Sequence, residues 1–260
     1  MGHPAALEDC SRWLVSTTDG GCRFRWRRTA DGGVLAEWVG LLGLRVDPSG
    51  HVEASVPPGA DPLFANKLFR TGAAAFVRAL RGQTSLHASA VARAEGALVC
   101  VGESGAGKST AAATLCERDG FELLADDVVA LADGGGQSPE WSVLPTESVH
   151  WLRVDPAAPK RPIQARSSGD VPRSLRAIVS LRRDDRVAGC ALRRLRGAEV
   201  YALLASSALR FELTHAVHKR ELDVFASIAA SVRIYGLERG PSATPEETAT
   251  ALLGVFGRAS

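Results

Sequence analysis

The chain has 260 residues, 45% of them hydrophobic and 23% charged, with 31 basic residues against 29 acidic ones and a net charge of +2. These values fit a folded α/β chain with one large domain or a domain plus a smaller appendage. They exclude a disordered polyelectrolyte and give no overall electrostatic pull toward nucleic acid or membrane. The five cysteines (Cys10, Cys22, Cys100, Cys116 and Cys190) are scattered, odd in number and without metal-ligand spacing, so a reducing, cytoplasmic setting is the simplest expectation. Met1-Gly2-His3-Pro4 has neither the basic start nor the apolar core of a secretion signal, and no apolar run reaches membrane-spanning length.

In chain order, residues 11–56 read as short strands. Arg12–Ser16, Cys22–Arg27 and Val34–Val39 are separated by Asp19-Gly20-Gly21 and Asp31-Gly32-Gly33, both suited to hairpin turns. Cys22, Phe24 and Trp26 alternate with Arg23, Arg25 and Arg27, the pattern of a half-buried edge strand with solvated arginines. Residues 62–81 carry helical periodicity through Leu68, Phe69, Ala73, Phe76, Val77 and Leu80. This gives a β-rich N-terminal region with a helix over 1–82 and an α/β domain over 83–260.

That domain opens with strands at 85–92 and 97–101 around a turn at Glu95-Gly96. Then comes Gly102-Glu103-Ser104-Gly105-Ala106-Gly107-Lys108-Ser109, which fits the phosphate-binding P-loop pattern G-x-x-x-x-G-K-[ST]. An apolar strand precedes it and a helix-forming stretch from Thr110 follows, the context such a loop requires. Its glycines permit inward-facing amides and leave no Cβ in the way, and the helix start adds free N–H groups and a positive dipole end. Lys108 would reach the β- and γ-phosphates of a nucleotide, and the Ser109 hydroxyl would serve Mg²⁺. The plainer alternative is a glycine-rich turn with no ligand.

Gly120 ends the helix. Phe121–Ala125 is a strand running into Asp126-Asp127, followed by Val128–Leu131. An aspartate at the end of such a strand can hold Mg²⁺, directly or through water. Its neighbour, pointing elsewhere, can face an incoming hydroxyl as general base. Ordinary surface-turn aspartates are the competing reading. Ala132–Pro139 reads as a loop, and Asp155–Pro172, rich in proline, serine and arginine, as a mobile surface segment. Arg153, Lys160, Arg161 and Arg166 form a loose basic cluster there; Lys160 and Arg161 are the candidates for substrate contact. Strands follow at 177–181 and 191–195, helices at 197–205 and 214–231, a strand at 232–237 and a closing helix at 244–256 begun by Thr244-Pro245-Glu246-Glu247. His87, in an apolar strand, would by itself be read as a packed core residue, as would His150 and His218.

Leu86-His87-Ala88, Val101–Ser109 and Leu124-Ala125-Asp126-Asp127-Val128-Val129 together resemble the core of the bacterial HPr serine kinase/phosphorylase family. The match is closer to its shorter HPr-kinase-like members, some of which phosphorylate lasso-peptide precursors. The clear resemblance covers about residues 85–131. It implies a P-loop kinase core of phosphoenolpyruvate-carboxykinase type and ATP with Mg²⁺ as cofactors. Gly102, Ser104, Gly105, Ala106, Gly107, Lys108, Ser109 and Thr110 would bind nucleotide, and Ser109 and Asp126 would serve the metal. Asp127 would accept the proton of an acceptor serine in a peptide or small protein, and His87 would lie near the transferred phosphate. The chain departs from the pattern at Ala88, which follows the histidine where the family has glycine, and at Thr110, where HPr kinases usually carry glutamate. A homo-oligomer is one further expectation, with neither nucleic-acid nor membrane partner. Two alternatives share the loop: a sugar or nucleoside kinase, and a regulatory ATPase without acceptor. The chain has no N-K-x-D guanine signature, no Q-loop and no L-S-G-G-Q.

Overall fold

The computed structural model describes residues 14–17, 23–118, 120–134, 140–152, 161–167, 169–212 and 214–257. The turn expected at Asp19-Gly20-Gly21, and Cys10 and Cys22, lie outside them. The fold is mixed α/β, with a β-rich N-terminal sheet and a larger mixed sheet. Its contacts divide into two units, 1–77 and 78–260.

In the first unit, β1 (Leu14–Thr17), β2 (Arg23–Arg28), β3 (Val34–Trp38), β4 (Leu42–Val46) and β5 (Val52–Ser55) form an antiparallel sheet in sequence order. The period-two pattern selects one face. Phe24 pairs with Trp38, Trp26 with Ala36 and Ala36 with Leu44, all buried. Phe76 packs on this face, 5.3 Å from the Phe24 ring and edge-on to Trp38 at 6.3 Å. On the opposite face Arg25 Nε donates to Glu37 at 2.7 Å, its cross-strand neighbour. The alternation is borne out over 23–27, but β2 is not an edge strand: β1, the strand expected at 12–16, pairs with it on the side away from β3. The single helix expected at 62–81 is α1 (Pro62–Leu68), one wide π turn (Phe69–Ala73) and α2 (Ala74–Leu80). Asp61 caps its start, accepting from Leu63 N at 2.9 Å.

In the second unit the sheet is built from β6 (Ser85–Arg93), β7 (Gly96–Val101), β8 (Glu122–Ala125), β9 (Val128–Asp133) and β10 (Trp141–Leu144), then β13 (Arg173–Arg183), β14 (Cys190–Arg194) and β15 (Arg233–Arg239). β11 (Val149–Leu152) and β12 (Arg161–Gln164) pair separately as a hairpin. β7, β13 and β15 are neighbouring parallel strands. All six residues of β7 are buried, because helices cover both sheet faces. Leu98 and Cys100 point toward α3 (Lys108–Cys116) and α6 (Pro245–Gly257), in a core with Leu115, Leu252 and Val255. Val99 and Val101 point the other way, into a core with Leu204 of α4 (Ala198–Ser207) and Phe225 and Ile228 of α5 (His215–Ser231). Thr244 and Glu247 form the reciprocal cap of α6 expected from sequence, Thr244 N donating to Glu247 Oε2 at 2.9 Å and Glu247 N to Thr244 Oγ1 at 3.1 Å.

Of the segment 155–172, read as a mobile surface segment, residues 155–160 and 168 lie outside the described ones; the described part is at the surface but ordered by pairing. Residues 161–164 form β12, Ala165 N bonds Ser148 O at 3.0 Å, and Leu123 N bonds Arg166 O at 2.7 Å. A four-residue strand containing proline has no pattern of its own; its partner β11 defines it. Among the described residues, no helix is long and apolar enough to cross a membrane.

Candidate functional site

The strand order brings the candidate residues to one end of the sheet. β6 runs antiparallel to both β7 and β8, so β7 and β8 point the same way. Gly102–Gly107 follows β7, Asp126-Asp127 follows β8, and His87 lies near the start of β6, where Ala88 pairs with Val101. In open α/β sheets ligands bind outside the carboxyl ends of the strands, and the loop and the acid pair lie at that end of β7 and β8.

The loop depends on its glycines. Gly102 has φ +144°, and a Cβ there would meet the carbonyl oxygen of Leu181 at 2.5 Å; Gly107 has φ +91° and starts α3. Glu103, Ser104 and Gly105 form an exposed tip, Thr110 is also exposed, and Ala106 is buried. Lys108 turns back into the loop: Nζ donates to Gly102 O at 2.8 Å and Glu103 O at 3.1 Å. Its third contact is His87 Nε2 at 3.2 Å. An ammonium only donates, so Nε2 accepts, and the His87 proton sits on Nδ1. From there it is donated to Asp127 O at 3.0 Å, with Asp127 Oδ1 3.5 Å away.

The two aspartates occupy different environments. Asp126 is fully buried; its Oδ1 accepts from Ser89 Oγ at 2.5 Å and from Ser109 Oγ at 2.8 Å, and its Oδ2 accepts from Trp151 N at 2.8 Å. Asp127 keeps 24% of its side chain exposed beside His87. It is also the one non-glycine residue with positive φ, +83°, among the described residues. Aspartate tolerates that conformation better than most residues but still holds it at a cost. Ala88 N, 3.3 Å from Asp127 O, and the His87 ring secure it. Five residues expected from sequence thus come together as two bonded groups, His87 with Lys108 and Asp127, and Ser109 with Asp126, joined through the chain neighbours 108–109 and 126–127. Lys160 and Arg153 lie outside the described residues. Arg161 is exposed in β12, and no hydrogen bond or ion pair ties it to the cluster among the described residues. Arg166 is 3.9 Å from Glu122.

Sequence reasoning missed three contributors. Ser89 lies two residues after His87 on the same strand, an alternation that offered a signal. The Trp151 amide had none, because its strand was unread. Arg239 ends β15, and its Nη2 donates to Ala106 O in the loop. Among the described residues no group of three or more His, Cys, Asp or Glu side chains is set to hold a metal. The hydroxyl–carboxylate pair Ser109–Asp126 is the oxygen set next to the loop.

His150, on β11, is 3% exposed, and neither ring nitrogen has a hydrogen-bond partner among the described residues. Burial pushes its pKa below the ordinary value, with Asp126 and Glu117 pulling the other way. A depressed histidine pKa leaves stability intact above the unfolded value and removes it as pH falls toward the folded one, because the unfolded chain takes up the proton first. Below about pH 6.5 the protein should lose up to roughly 1.4 kcal/mol per pH unit through this group. In His150→Phe that component should vanish, giving a flatter fall of Tm between about pH 7 and 5; equal slopes in the two proteins would sink the assignment.

No family model matches the chain, and no curated protein matches it. Among solved structures it is similar to the Hpr(Ser) kinase/phosphatase from Coxiella burnetii, with 11% sequence identity and a TM-score of 0.38 over 67% of this chain and 99% of that one.

Proposed function

We propose that the chain is an ATP-dependent kinase that transfers the γ-phosphate to a serine hydroxyl of a peptide or small protein. The observation that supports this most directly is the cluster itself: a lysine and a left-handed aspartate bridged by one histidine, beside a glycine loop whose next serine is bonded to a buried acid. The loop amides and Lys108 would hold the β- and γ-phosphates, with Lys108 exchanging its carbonyl partners for phosphate oxygens. The oxygen pair fits Mg²⁺, a hard cation that takes oxygen ligands and keeps several waters. Ser109 would ligate it, and Asp126, already accepting three hydrogen bonds, would act from behind through that hydroxyl or through water. Bound there, the ion would offset negative charge on the phosphate oxygens.

Asp127 would accept the proton of the acceptor hydroxyl as its oxygen bonds to the γ-phosphorus and the bond from phosphorus to the β–γ bridging oxygen breaks. The products are a phosphoserine and ADP, and catalysis comes from positioning and charge. His87 would keep Lys108 and Asp127 in mutual register. Incubation with γ-labelled ATP, Mg²⁺ and a panel of serine-containing peptides should give acid-stable label on the peptide, with little phosphate released when no acceptor is present. Strong acceptor-independent hydrolysis would favour a regulatory ATPase; label on a sugar or nucleoside alone would favour a small-molecule kinase. A protein that binds no nucleotide would end the proposal.

A further inference from the structure

We infer that Arg239 is a positioning residue for the glycine loop, holding the Ala106–Gly107 peptide from its outer side so that the following amides face a bound phosphate. The inference rests on the nucleotide reading above. β13 and β15 are parallel neighbours in which Arg183 pairs with Arg239, and both strands end beside the loop that follows β7. From there the Arg239 guanidinium donates Nη2 to the Ala106 carbonyl. A peptide group is a rigid plane with C=O and N–H on opposite sides. Tying the Ala106 carbonyl toward β15 therefore turns the Gly107 N–H away from it. The same guanidinium occupies the space next to Gly107, where a Cβ would lie 3.0 Å from Nη2 and 3.1 Å from Nη1. Glycine is needed there both for its +91° φ and for this close approach.

Charge reinforces the geometry. Glu238, beside Arg239 in sequence, lies 3.9 Å from Arg182. Arg239 itself forms no ion pair with a carboxylate among the described residues. Burial and the neighbouring charge of Arg183 both push the Arg239 pKa below its ordinary value. A half-buried guanidinium beside a like charge is unfavourable unless an acceptor or an anion offsets it. The loop carbonyl is the acceptor in hand, and a triphosphate beyond it would supply the anion.

The test compares the wild-type protein with Arg239→Gln, Arg239→Lys and Arg183→Gln. It measures MgATP binding by titration calorimetry, kcat and KM for transfer, and thermal melting without ligand. Arg239→Gln should weaken binding and raise KM roughly tenfold, with kcat changed far less and melting unchanged. Arg239→Lys should fall between Gln and wild type, since an ammonium gives a point contact in place of a planar fork. Arg183→Gln, which removes charge without touching the loop, should stay within about twofold of wild type. Wild-type affinity in Arg239→Gln, or an equal loss in Arg183→Gln, overturns the inference while leaving the nucleotide site standing. A wild-type protein that binds no MgATP overturns both. If Arg239→Gln does not fold, Arg239→Lys decides: weakened binding with unchanged melting supports the role, and wild-type affinity refutes it.

Discussion

An Asp127→Asn protein will bind MgATP about as tightly as the wild type and lose phosphoryl transfer by roughly 10²–10⁴-fold, the range associated with a positioned proton acceptor. Asparagine suits the test because of the backbone. Asp127 sits at φ +83°, and asparagine is among the few residues that accept a left-handed conformation as readily as aspartate. The bonds from the His87 ring and Ala88 N go to the main-chain oxygen of residue 127, so the substitution leaves them in place. What changes is one carboxylate oxygen 3.5 Å from His87 Nδ1, replaced by a group that cannot take a proton. Alanine would mix lost chemistry with backbone strain of about 1–3 kcal/mol. The check is a pair of measurements on one preparation: nucleotide titration and rate of peptide labelling. Full labelling by the Asn variant would remove Asp127 from its role as base.

Asp126→Ala should have the largest effect on stability. The carboxylate is fully buried and collects hydrogen bonds from Ser89 Oγ, Ser109 Oγ and Trp151 N, which link β6, α3 and β11. Ser89 is itself 1% exposed, so its hydroxyl has no water to turn to. Removing the acceptor strands these donors and leaves a small void, a loss of roughly 3–4 kcal/mol, or about 6–16 °C in Tm for a chain of this size. The wild-type Tm should also rise when MgATP is added, because a ligand that binds only the folded state stabilises it. That rise should shrink sharply in the variant, through the loss of Ser109's orientation. A variant melting at the wild-type temperature would show that Asp126 is not the anchor described.

The glycine loop and the paired acids were legible because their chemistry is local: the spacing of Gly102, Gly105, Gly107, Lys108 and Ser109 lies within eight residues, and an apolar strand announces Asp126-Asp127. The placement of His87 beside Lys108 and Asp127 was suggested only by resemblance, since an imidazole in an apolar strand has no distinguishing pattern; its partners come from 21 and 40 residues away. Arg239 was illegible for the same reason, reaching across 133 residues to Ala106. The strands at 141–144, 149–152 and 161–164 were missed because each is four residues long and takes its conformation from its partner. The wide turn at 69–73 leaves the helical periodicity around it nearly intact, so the sequence reads as one helix.

Strand β6 carries an implication for how such a protein could change over time. His87 and Ser89, alternate residues on it, each tether one of the two consecutive acids. The spacing of the two tethers is therefore inherited from the roughly 6.7 Å repeat of an extended chain rather than from loop geometry. A one-residue insertion in this strand would throw both tethers out of step at once, so the ruler must be kept whole or abandoned. The hairpin of β11 and β12, whose strand β12 is exposed at all four positions, carries no such double duty apart from the Trp151 amide. Substitutions can accumulate on that exposed strand, side chain by side chain, while the two tethers of β6 stay fixed to scale.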